Sequence, residues 1–396
     1  MSGPLVGIRV LDVGTMVAGP FAASLLADFG AEVIKVELPG RGDTLRQYGP
    51  VRQGSSYWFS ADARNKKAIT LDLRRPEGRA LLLRLAAVSD ALVENFVPGT
   101  LAGWGLDAGA LRAANPRLIV AHASGYGQTG PYRTRPGYDR VGLAFGGLWH
   151  LTGDPDGPPM RGGVSIADYY TGLFGAFGIM MALYHRDARG GPGQEVDVSL
   201  FESVFRLMEF TVVQYGAEGV VRGRVGNSGP AAPAGAYRTR DGRWVMVLAG
   251  EDRQYQRLMR AIGREDLATD PRFATLPSRT ANREVIEGAI GEWTPRHDLA
   301  EVMRIMEEAD VPLGVSMTVA DAFTDPQYAA REMVLTVDDP LYGSIAMQGV
   351  TPKLSETPGV VHRAGPLLGE HNATVYGDLL GLTAGDLNGL RDSGVV

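Results

Sequence analysis

The sequence predicts an α/β protein in which helices cover a parallel β-sheet and a smaller α+β domain follows. Over roughly the first 200 residues, short β-branched runs alternate with longer segments of helical periodicity, the order typical of a parallel sheet. Beyond about residue 205 this alternation stops. The length of 396 residues also fits two or three packed units, at roughly 100 to 200 residues each.

The strands and the first two helices follow from local patterns. The segments with strand character are 7–13, 32–37, 68–73, 91–95, 118–123 and 195–199. Between the first two, Phe21, Leu25 and Phe29 recur at helical spacing and Gly30 supplies a C-terminal stop, which completes one βαβ unit. A second helix is expected to begin at Pro76, because proline suits the first turn of a helix.

A longer helix is expected after Asp168, because large apolar side chains repeat there at steps of three and four. These side chains are Leu173, Phe174, Phe177, Met180 and Met181. We expect them in the protein core. The glycines Gly172, Gly175 and Gly178 each cost about 0.5 to 1 kcal/mol relative to alanine inside a helix, so we expect them to admit another backbone at close range.

A second domain is predicted where the alternation ends. The expected division is 1–205 for the N-terminal part of a large domain, 206–330 for a linker and small domain, and 331–396 for a return to the large domain. The glycine- and proline-rich segment 222–234 precedes a predicted hairpin at 236–248. Helical patterns then cover 254–262, 283–293 and 299–309, a strand-like segment covers 334–350, and a helical tail covers 367–390.

Composition excludes several classes of function. With 39 basic and 45 acidic residues the net charge is −6, so no overall positive field attracts nucleic acid or an anionic membrane. The absence of cysteine excludes disulfides, thiolate metal sites and thiol nucleophiles, and agrees with a reducing compartment. The N-terminus lacks a secretory pattern, and the longest apolar stretch is shorter than the ~20 residues of a membrane span. We expect a cytoplasmic protein without nucleic-acid or membrane partners.

Most catalytic motifs are absent from the sequence. It contains no G-x-S-x-G, no P-loop and no histidine pair at i, i+3 or i, i+4, so no metal is expected. One G-x-G-x-x-G occurs at residues 125–130, after a predicted strand. A dinucleotide fingerprint must open a helix, but Pro131, Pro136 and Gly137 follow here. A nicotinamide cofactor is therefore not favoured.

Basic residues cluster in the loops that follow the predicted strands, at the sheet edge where α/β proteins bind ligands. These residues are Arg41, Arg46, Arg64, Lys66, Lys67, Arg74, Arg75, Arg133 and Arg135. They can supply charge for a polyphosphate, although solvated surface bases give the same pattern.

Motifs over nearly the whole chain resemble those of one known family. They are 10–12 (VLD), 18–20 (AGP), 26–37 (LADFGAEVIKVE), 65–67 (NKK), 93–99 (VENFVPG), 125–131 (GYGQTGP), 136–139 (PGYD), 168–172 (DYYTG) and 366–371 (PLLGEH). In these segments the chain resembles the family III CoA-transferases, which include formyl-CoA transferase, succinyl-CoA:dicarboxylate CoA-transferases and α-methylacyl-CoA racemase. The resemblance implies a Rossmann-like large domain completed by the C-terminus, a small domain, and an interlocked homodimer.

The resemblance also implies a mechanism, with coenzyme A as acyl-CoA co-substrate, a carboxylic acid as second substrate and no metal. Asp168 matches the family nucleophile. Its carboxylate would form an aspartyl-acyl anhydride and then an aspartyl-CoA thioester, from which CoA passes to the acceptor acid.

The resemblance further implies where CoA binds. The residues expected to contact it are Val17, Ala18, Arg41, Leu71, Arg74, Asn95, Phe96, Val97, Arg135 and Tyr138. Many relatives carry an arginine where this chain has Leu38, and some carry one where it has Gly103. Other cations must then bind the phosphates, and Arg41 and Arg74 are the candidates.

Two alternative functions remain open at this stage. The racemase branch removes an α-proton with a His/Asp pair, and its histidine falls where this chain has Tyr138. Tyrosine, with an ordinary pKa near ~10, is a poor base beside histidine near ~6.5, although Glu251 falls where racemases also carry a glutamate. The other alternative is a non-catalytic CoA-binding subunit in which Asp168 is idle.

The acids exchanged are not evident from the sequence. Arg161, upstream of Asp168, can pair with the distal carboxylate of succinyl-CoA or another dicarboxylyl donor, but a structural ion pair explains it equally well. Substrate choice also depends on the glycine-rich segment 226–235, whose conformation the sequence does not give.

Overall fold

The computed structural model describes residues 3–396 and contains two compact units. The larger unit comprises the chain up to Trp149 together with Arg161–Val220 and Gln327–Val396, and the smaller comprises His150–Met160 and Val221–Pro326. The domain boundaries expected after residues 205 and 330 stay a prediction.

The β-strands, in chain order, are β1 (Arg9–Asp12), β2 (Glu32–Glu37), β3 (Val51–Arg52), β4 (Ser55–Ser56), β5 (Lys67–Thr70), β6 (Ala91–Glu94), β7 (Ile119–Ser124), β8 (Glu195–Ser199), β9 (Ala234–Arg238), β10 (Trp244–Leu248), β11 (Leu313–Val315), β12 (Val334–Asp339) and β13 (Gly343–Gln348). The first, second and fifth to eighth strands form a six-stranded parallel sheet in the order β5-β2-β1-β6-β7-β8. This confirms the predicted α/β class and all six strands predicted for the sheet. The other sheets are small and antiparallel.

The α-helices, in chain order, are α1 (Ala18–Asp28), α2 (Tyr57–Asp62), α3 (Pro76–Ala87), α4 (Thr100–Gly103), α5 (Ala108–Ala114), α6 (Asp139–Phe145), α7 (Leu148–Leu151), α8 (Ile166–Ala188), α9 (Leu200–Phe205), α10 (Thr211–Glu218), α11 (Asp252–Ala261), α12 (Glu265–Thr269), α13 (Leu276–Ala281), α14 (Arg283–Trp293), α15 (Leu299–Glu308), α16 (Val319–Thr324), α17 (Pro326–Ala330), α18 (Asn372–Leu380) and α19 (Ala384–Asp392). Short 3₁₀ helices cover Thr44–Gln47, Pro271–Phe273 and Thr294–Arg296.

Helices cover both faces of the parallel sheet, because its central strands carry apolar residues on both sides. On one face Leu11 and Ile34 pack with Leu82 of α3 and Tyr376 of α18. On the other face, the apolar residues of α1 and α8 pack against the sheet. The C-terminal segment is tied to strand β5, since the Tyr376 hydroxyl donates to the Thr70 carbonyl at 2.8 Å.

The smaller unit has a core of its own. Strands β9, β10 and β11 form its antiparallel sheet, and the predicted hairpin at 236–248 is confirmed as β9 and β10. Val245 and Val247 on one side of β10 pack with Leu258, Ile286 and Val302 from three helices. The helices predicted at 254–262, 283–293 and 299–309 correspond to α11, α14 and α15.

Helix α8 has the length and apolarity of a membrane span, and it packs on α1, β7 and β8 of the larger unit. Apart from Arg186 near its C-terminus, its buried face is made of small and medium-sized residues. These are Ala167, Thr171, Gly172, Gly175, Ala176, Ile179, Ala182 and Leu183. The prediction that its large apolar residues lie in the core was wrong, since Leu173, Phe177 and Met181 are 54%, 59% and 51% exposed. The reason is that Gly172 and Gly175 on the buried face let α8 lie directly on α1, so the bulky side chains face outward.

Candidate active site

Three cavities lie around the carboxyl ends of the parallel strands, and Thr15 lines all of them. The edge cavity, about 240 Å³, lies beside the segments that follow β1, β2 and β5. The narrow cavity, about 180 Å³, lies beside the start of α1 and the segment that follows β7. The wide cavity, about 750 Å³, lies between residues 15–17, Trp58 and the start of α8. Ligands of open α/β sheets bind at this edge.

Asp168 lines both the narrow and the wide cavity. It lies in the first turn of α8, and within residues 3–396 its carboxylate accepts no hydrogen bond and forms no ion pair. Burial, and then the negative charge of Asp139, raise the pKa of Asp168 to about 7. A carboxylate without partners, held between two cavities, is suited to act as a nucleophile.

Asp139 holds the first turn of α8 in place. Its Oδ1 accepts a hydrogen bond from the Ala167 backbone N–H at 2.9 Å, while the N-cap residue Ser165 makes no side-chain cap of its own. Burial raises the pKa of Asp139, although hydrogen bonds from the backbone of Ala167 and Asp168 oppose the shift. Asp139 thus fixes the backbone that carries Asp168 and also disfavours its ionisation.

The start of α1 faces the same region. Val17 and Ala18 line the narrow cavity, as do Val97 and Tyr138, and the side chain of Tyr138 is 69% exposed. No side chain caps α1 within the described chain. The backbone N–H groups of Ala18 and Gly19 are therefore available to a negatively charged oxygen beside Asp168.

Helices α1 and α8 meet without an intervening side chain at Gly172. A Cβ atom built there would lie 2.8 Å from the Ala18 carbonyl oxygen and 2.8 Å from Cδ1 of Phe21. This confirms the close backbone approach expected at Gly172. The contact fixes how far the first turn of α8, which carries Asp168, lies from the first turn of α1.

Asn95 clamps the loop that follows β1. Its Oδ1 accepts from the Thr15 N–H at 2.8 Å and its Nδ2 donates to the Thr15 carbonyl at 2.7 Å. Met16 adopts a left-handed backbone with φ 62°, and its N–H donates to Asp43 Oδ1 at 2.9 Å. The amide of Asn95 is thus engaged by the protein, and its contact with CoA stays a prediction.

Buried charges lie beneath the same loop. Lys35 Nζ is 2.8 Å from Asp43 Oδ2 and donates to the Gly14 carbonyl. Lys66 Nζ donates to Asp12 Oδ2 at 2.9 Å and to the Pro20 carbonyl at 2.7 Å. Burial opposes the charge on Lys35, but the carboxylates of Asp12 and Asp43 raise its pKa, whereas burial lowers the pKa of Lys66. The loop that lines all three cavities is therefore anchored from below.

The edge cavity combines apolar walls with cations. Leu71 and Phe96 line it, and Phe96 packs edge-on against Trp104 with ring centroids 5.3 Å apart. Arg41 and Arg74 also line it, and their contact with CoA phosphates stays a prediction. Arg74 is held by two 2.8 Å hydrogen bonds to Asp72, while Arg41 forms no ion pair in the part of the chain that is described. An aromatic surface beside guanidinium groups suits a nucleotide.

Several predicted cations lie elsewhere. Arg135 lies outside the three cavities and stacks on Tyr132, its Cζ 3.7 Å from the ring centroid. Other predicted cations form ion pairs with carboxylates inside the protein. These pairs are Arg46–Glu37, Arg64–Asp28, Lys66–Asp12 and Lys67–Glu32. A role for these four residues in phosphate binding stays a prediction, although each already pairs with a carboxylate inside the protein.

The G-x-G-x-x-G segment at 125–130 opens no helix, and the chain stays irregular until α6 begins at Asp139. Gly125 instead touches the backbone of Gly137, since a Cβ at Gly125 would lie 2.7 Å from the Gly137 Cα. Both glycines line the narrow cavity. The glycines close a loop over this cavity rather than cradle a dinucleotide.

Sequence reasoning missed the walls of the wide cavity. Trp58 Nε1 donates to Asp62 Oδ2 at 2.8 Å, and the Tyr169 hydroxyl donates to the same oxygen at 3.0 Å. Burial raises the pKa of Asp62 despite these bonds. The i, i+4 spacing of Trp58 and Asp62 on α2 could have indicated from the sequence that these two side chains are in contact. Tyr169 is adjacent to Asp168, and Arg140 lies next to Asp139 on the same wall.

Within residues 3–396 no cluster of three or more His, Cys, Asp or Glu side chains is arranged to hold a metal ion.

Known proteins are similar to this chain over nearly its whole length. The profile of CoA-transferase family III matches residues 5–372. The chain is 46% identical over 395 residues to the succinyl-CoA–D-citramalate CoA-transferase of Chloroflexus aurantiacus, covering 99% of this chain and 98% of the relative. It is 37% identical over 386 residues to the succinate–glutarate CoA-transferase of Agrobacterium fabrum, covering 95% and 96%. A solved CAIB/BAIF family protein from Brucella suis is similar with a TM-score of 0.86 and 37% identity, over 96% of this chain and 100% of that one.

Proposed function

The chain belongs to CoA-transferase family III, and we propose that it moves CoA from succinyl-CoA, or a related dicarboxylyl-CoA, to a second dicarboxylic acid through Asp168. The observation that carries this proposal is the position of Asp168, whose unpaired carboxylate lines both the narrow and the wide cavity. The substrate class is supported by relatives named for succinyl-CoA with D-citramalate and for succinate with glutarate.

The proposed reaction begins when an Asp168 oxygen attacks the thioester carbonyl carbon. The C–S bond breaks, CoA leaves as a thiolate and an aspartyl-acyl anhydride forms. The thiolate then attacks the aspartyl carbonyl of the anhydride, which releases the first acid as a carboxylate and leaves an aspartyl-CoA thioester. The acceptor carboxylate attacks this thioester, and the two steps run in reverse to give the new acyl-CoA and free Asp168. No proton is gained or lost in the cycle.

The cavities support one placement of the substrate. The CoA nucleotide would occupy the edge cavity, with Phe96 beside the base and Arg41 and Arg74 near the phosphates. The pantetheine arm would pass Thr15, which lines all three cavities, so that the thiol reaches Asp168 in the narrow cavity. The acids would bind in turn in the wide cavity.

The chain also offers the groups that the transition states need. Each attack produces a tetrahedral oxyanion, and the N–H groups at the uncapped start of α1 would stabilise it. Hydrolysis of the anhydride would waste the activated acyl group, so water must be excluded. Trp58 and Tyr169 supply aromatic surface for this in the wide cavity, and both are held in place by Asp62.

A donor and acceptor panel tests the proposal. The purified enzyme is incubated with succinyl-CoA or butyryl-CoA and a series of mono- and dicarboxylic acids, and new acyl-CoA products are quantified. We expect CoA transfer from succinyl-CoA to dicarboxylic acids, with the parallel double-reciprocal lines of a double-displacement reaction. A parallel incubation of an enantiopure 2-methylacyl-CoA in deuterated water should show no α-deuterium, because Tyr138 replaces the racemase histidine. Deuterium incorporation without transfer would contradict the proposal.

The pH dependence should report the ionisation of Asp168. Only the carboxylate is nucleophilic, and its pKa is about 7, so kcat/KM is expected to rise with pH and level off above that value. In Asp139→Asn the neighbouring charge is lost while an acceptor for the Ala167 N–H remains. The midpoint should therefore move to lower pH. Identical midpoints for the wild type and Asp139→Asn in pH–rate profiles would contradict this.

We also propose that the protein is an interlocked homodimer. The outward face of α8 exposes Leu173, Phe177 and Tyr184 at 54%, 59% and 62%, and Val213 and Tyr215 of α10 are 72% and 59% exposed. A monomer rarely leaves so many large apolar side chains in water. A second copy that covers these faces accounts for them, and sedimentation equilibrium measures the assembly directly.

A further inference from the structure

The wide cavity contains two guanidinium groups without partners. Arg140 and Arg161 both line it, and within residues 3–396 neither forms a hydrogen bond or an ion pair through its side chain. Arg46 and Arg74 behave differently, since they are held by Glu37 and Asp72. Both are exposed to solvent, so these two unpaired guanidinium groups in the cavity that contains Asp168 are free to bind a ligand with negative charge.

No carboxylate of the described residues forms an ion pair with these two arginines. Asp139 is the nearby carboxylate, and the charges of Arg161 and Arg140 act to lower its pKa from a distance. Neither arginine approaches it as an ion pair, and the Oδ1 of Asp139 is engaged by the Ala167 N–H. The structural ion pair considered for Arg161 in the sequence is therefore not formed.

The chemistry of the cavity limits what the arginines can bind. The reacting carboxyl group of a bound acid would lie at Asp168, which leaves the guanidinium groups on the same wall for a second group of that acid. The volume of about 750 Å³ is in the range that holds drug-sized ligands, so a four- or five-carbon acid fits together with solvent. A planar guanidinium pairs with a carboxylate through two parallel hydrogen bonds.

We propose that Arg161, assisted by Arg140, binds the distal carboxylate of the acid and thereby restricts both donor and acceptor to dicarboxylic acids. This inference rests on the proposed function. Donor and acceptor acids occupy the wide cavity in turn, so the same two guanidinium groups select both. A monocarboxylate, or an acid whose distal group is neutral, forms no such ion pair with Arg161 or Arg140 and is a poorer substrate.

The test compares two acceptors that differ only in distal charge, glutarate and its monoamide glutaramate, with succinyl-CoA as donor. In a double-displacement reaction the kcat/KM of an acceptor reports its own half-reaction, so an effect of the variant on the donor does not alter the comparison. The variants are Arg161→Gln and Arg140→Gln. The matched control is Arg189→Gln, an exposed arginine at the opposite end of α8.

The wild type and the Arg189→Gln control are expected to prefer glutarate by about 100-fold or more in kcat/KM. In Arg161→Gln this ratio should fall towards one through loss of activity with glutarate, with a smaller fall in Arg140→Gln. A wild-type ratio near one, or an equal loss with both acids in Arg161→Gln, would overturn the inference. A change of ratio in Arg140→Gln alone would overturn the assignment to Arg161. A wild type that transfers CoA to neither acid would instead reject the proposed function.

Discussion

Replacement of Asp168 by alanine or asparagine is expected to reduce CoA transfer by about 10⁴-fold or more, because removal of a nucleophile leaves only binding and oxyanion stabilisation. Asparagine has nearly the same shape as aspartate but does not form the anhydride. The binding of CoA should persist in both variants, since the edge cavity is unchanged. Steady-state rates with succinyl-CoA and a dicarboxylic acceptor measure the loss, and titration with CoA measures binding.

Asp168→Asn should also increase the stability of the protein, which distinguishes its loss of activity from a folding defect. Burial and Asp139 raise the pKa of Asp168 above its ordinary value, so its ionised form destabilises the native state. This cost is absent at low pH, grows as the pH rises above the unfolded pKa, and is complete above about 7. Asp168→Asn should therefore raise the Tm at pH 8 and change it little at pH 4. The control is Asp156→Asn at an exposed turn, which should change neither activity nor Tm. Residual turnover above about one tenth in Asp168→Ala would exclude the assigned role.

Gly172→Val is expected to lower kcat by about 100-fold or more and to lower the Tm as well. A Cβ at this position would lie 2.8 Å from the Ala18 carbonyl oxygen and 3.2 Å from the Ala22 nitrogen, and backbone atoms cannot rotate aside. Overpacking of this kind typically costs about 1 to 3 kcal/mol. It also moves α8 away from α1, and a displacement of about 1 Å at reacting groups can cost about 100-fold in rate.

Gly175→Ala is the matched control on the same helix. Its Cβ would lie 3.3 Å from the Ala22 Cβ, and alanine favours a helix over glycine by up to about 1 kcal/mol. Its stability and activity should stay close to those of the wild type. If Gly172→Val retained wild-type kcat, the close contact of α1 and α8 would have no part in placing Asp168.

The strands were predictable because buried parallel strands are rich in β-branched residues, such as Val33, Ile34 and Val36 in β2. The choice of buried face on α8 was not predictable from the sequence. Its sequence offers one stripe of large residues with Phe177 and another of small residues with Gly172 and Ile179, and helical periodicity does not tell which of them is buried. The choice depends on the partner helix, since α1 presents Ala18 and Ala22 and so accepts a flat surface.

Some parts of the candidate site were predictable from the sequence and others were not. Asp168 was found through a motif, and the structure gives a physical reason for other motif residues, because Asp12, Lys35 and Lys66 anchor the loop that lines the cavities. The clamp between Asn95 and Thr15 joins residues 80 positions apart. Contacts at such separations depend on the order of strands in the sheet, which local spacing does not report.

The most direct test is to look for CoA on the enzyme itself. The wild type and Asp168→Ala are incubated with succinyl-CoA without added acceptor, digested, and examined by mass spectrometry. We expect CoA joined as a thioester to the peptide that contains Asp168, its replacement by a hydroxamate after hydroxylamine, and no adduct in Asp168→Ala. A CoA adduct on another residue, or rapid turnover of the wild type with no adduct at Asp168, would contradict the account.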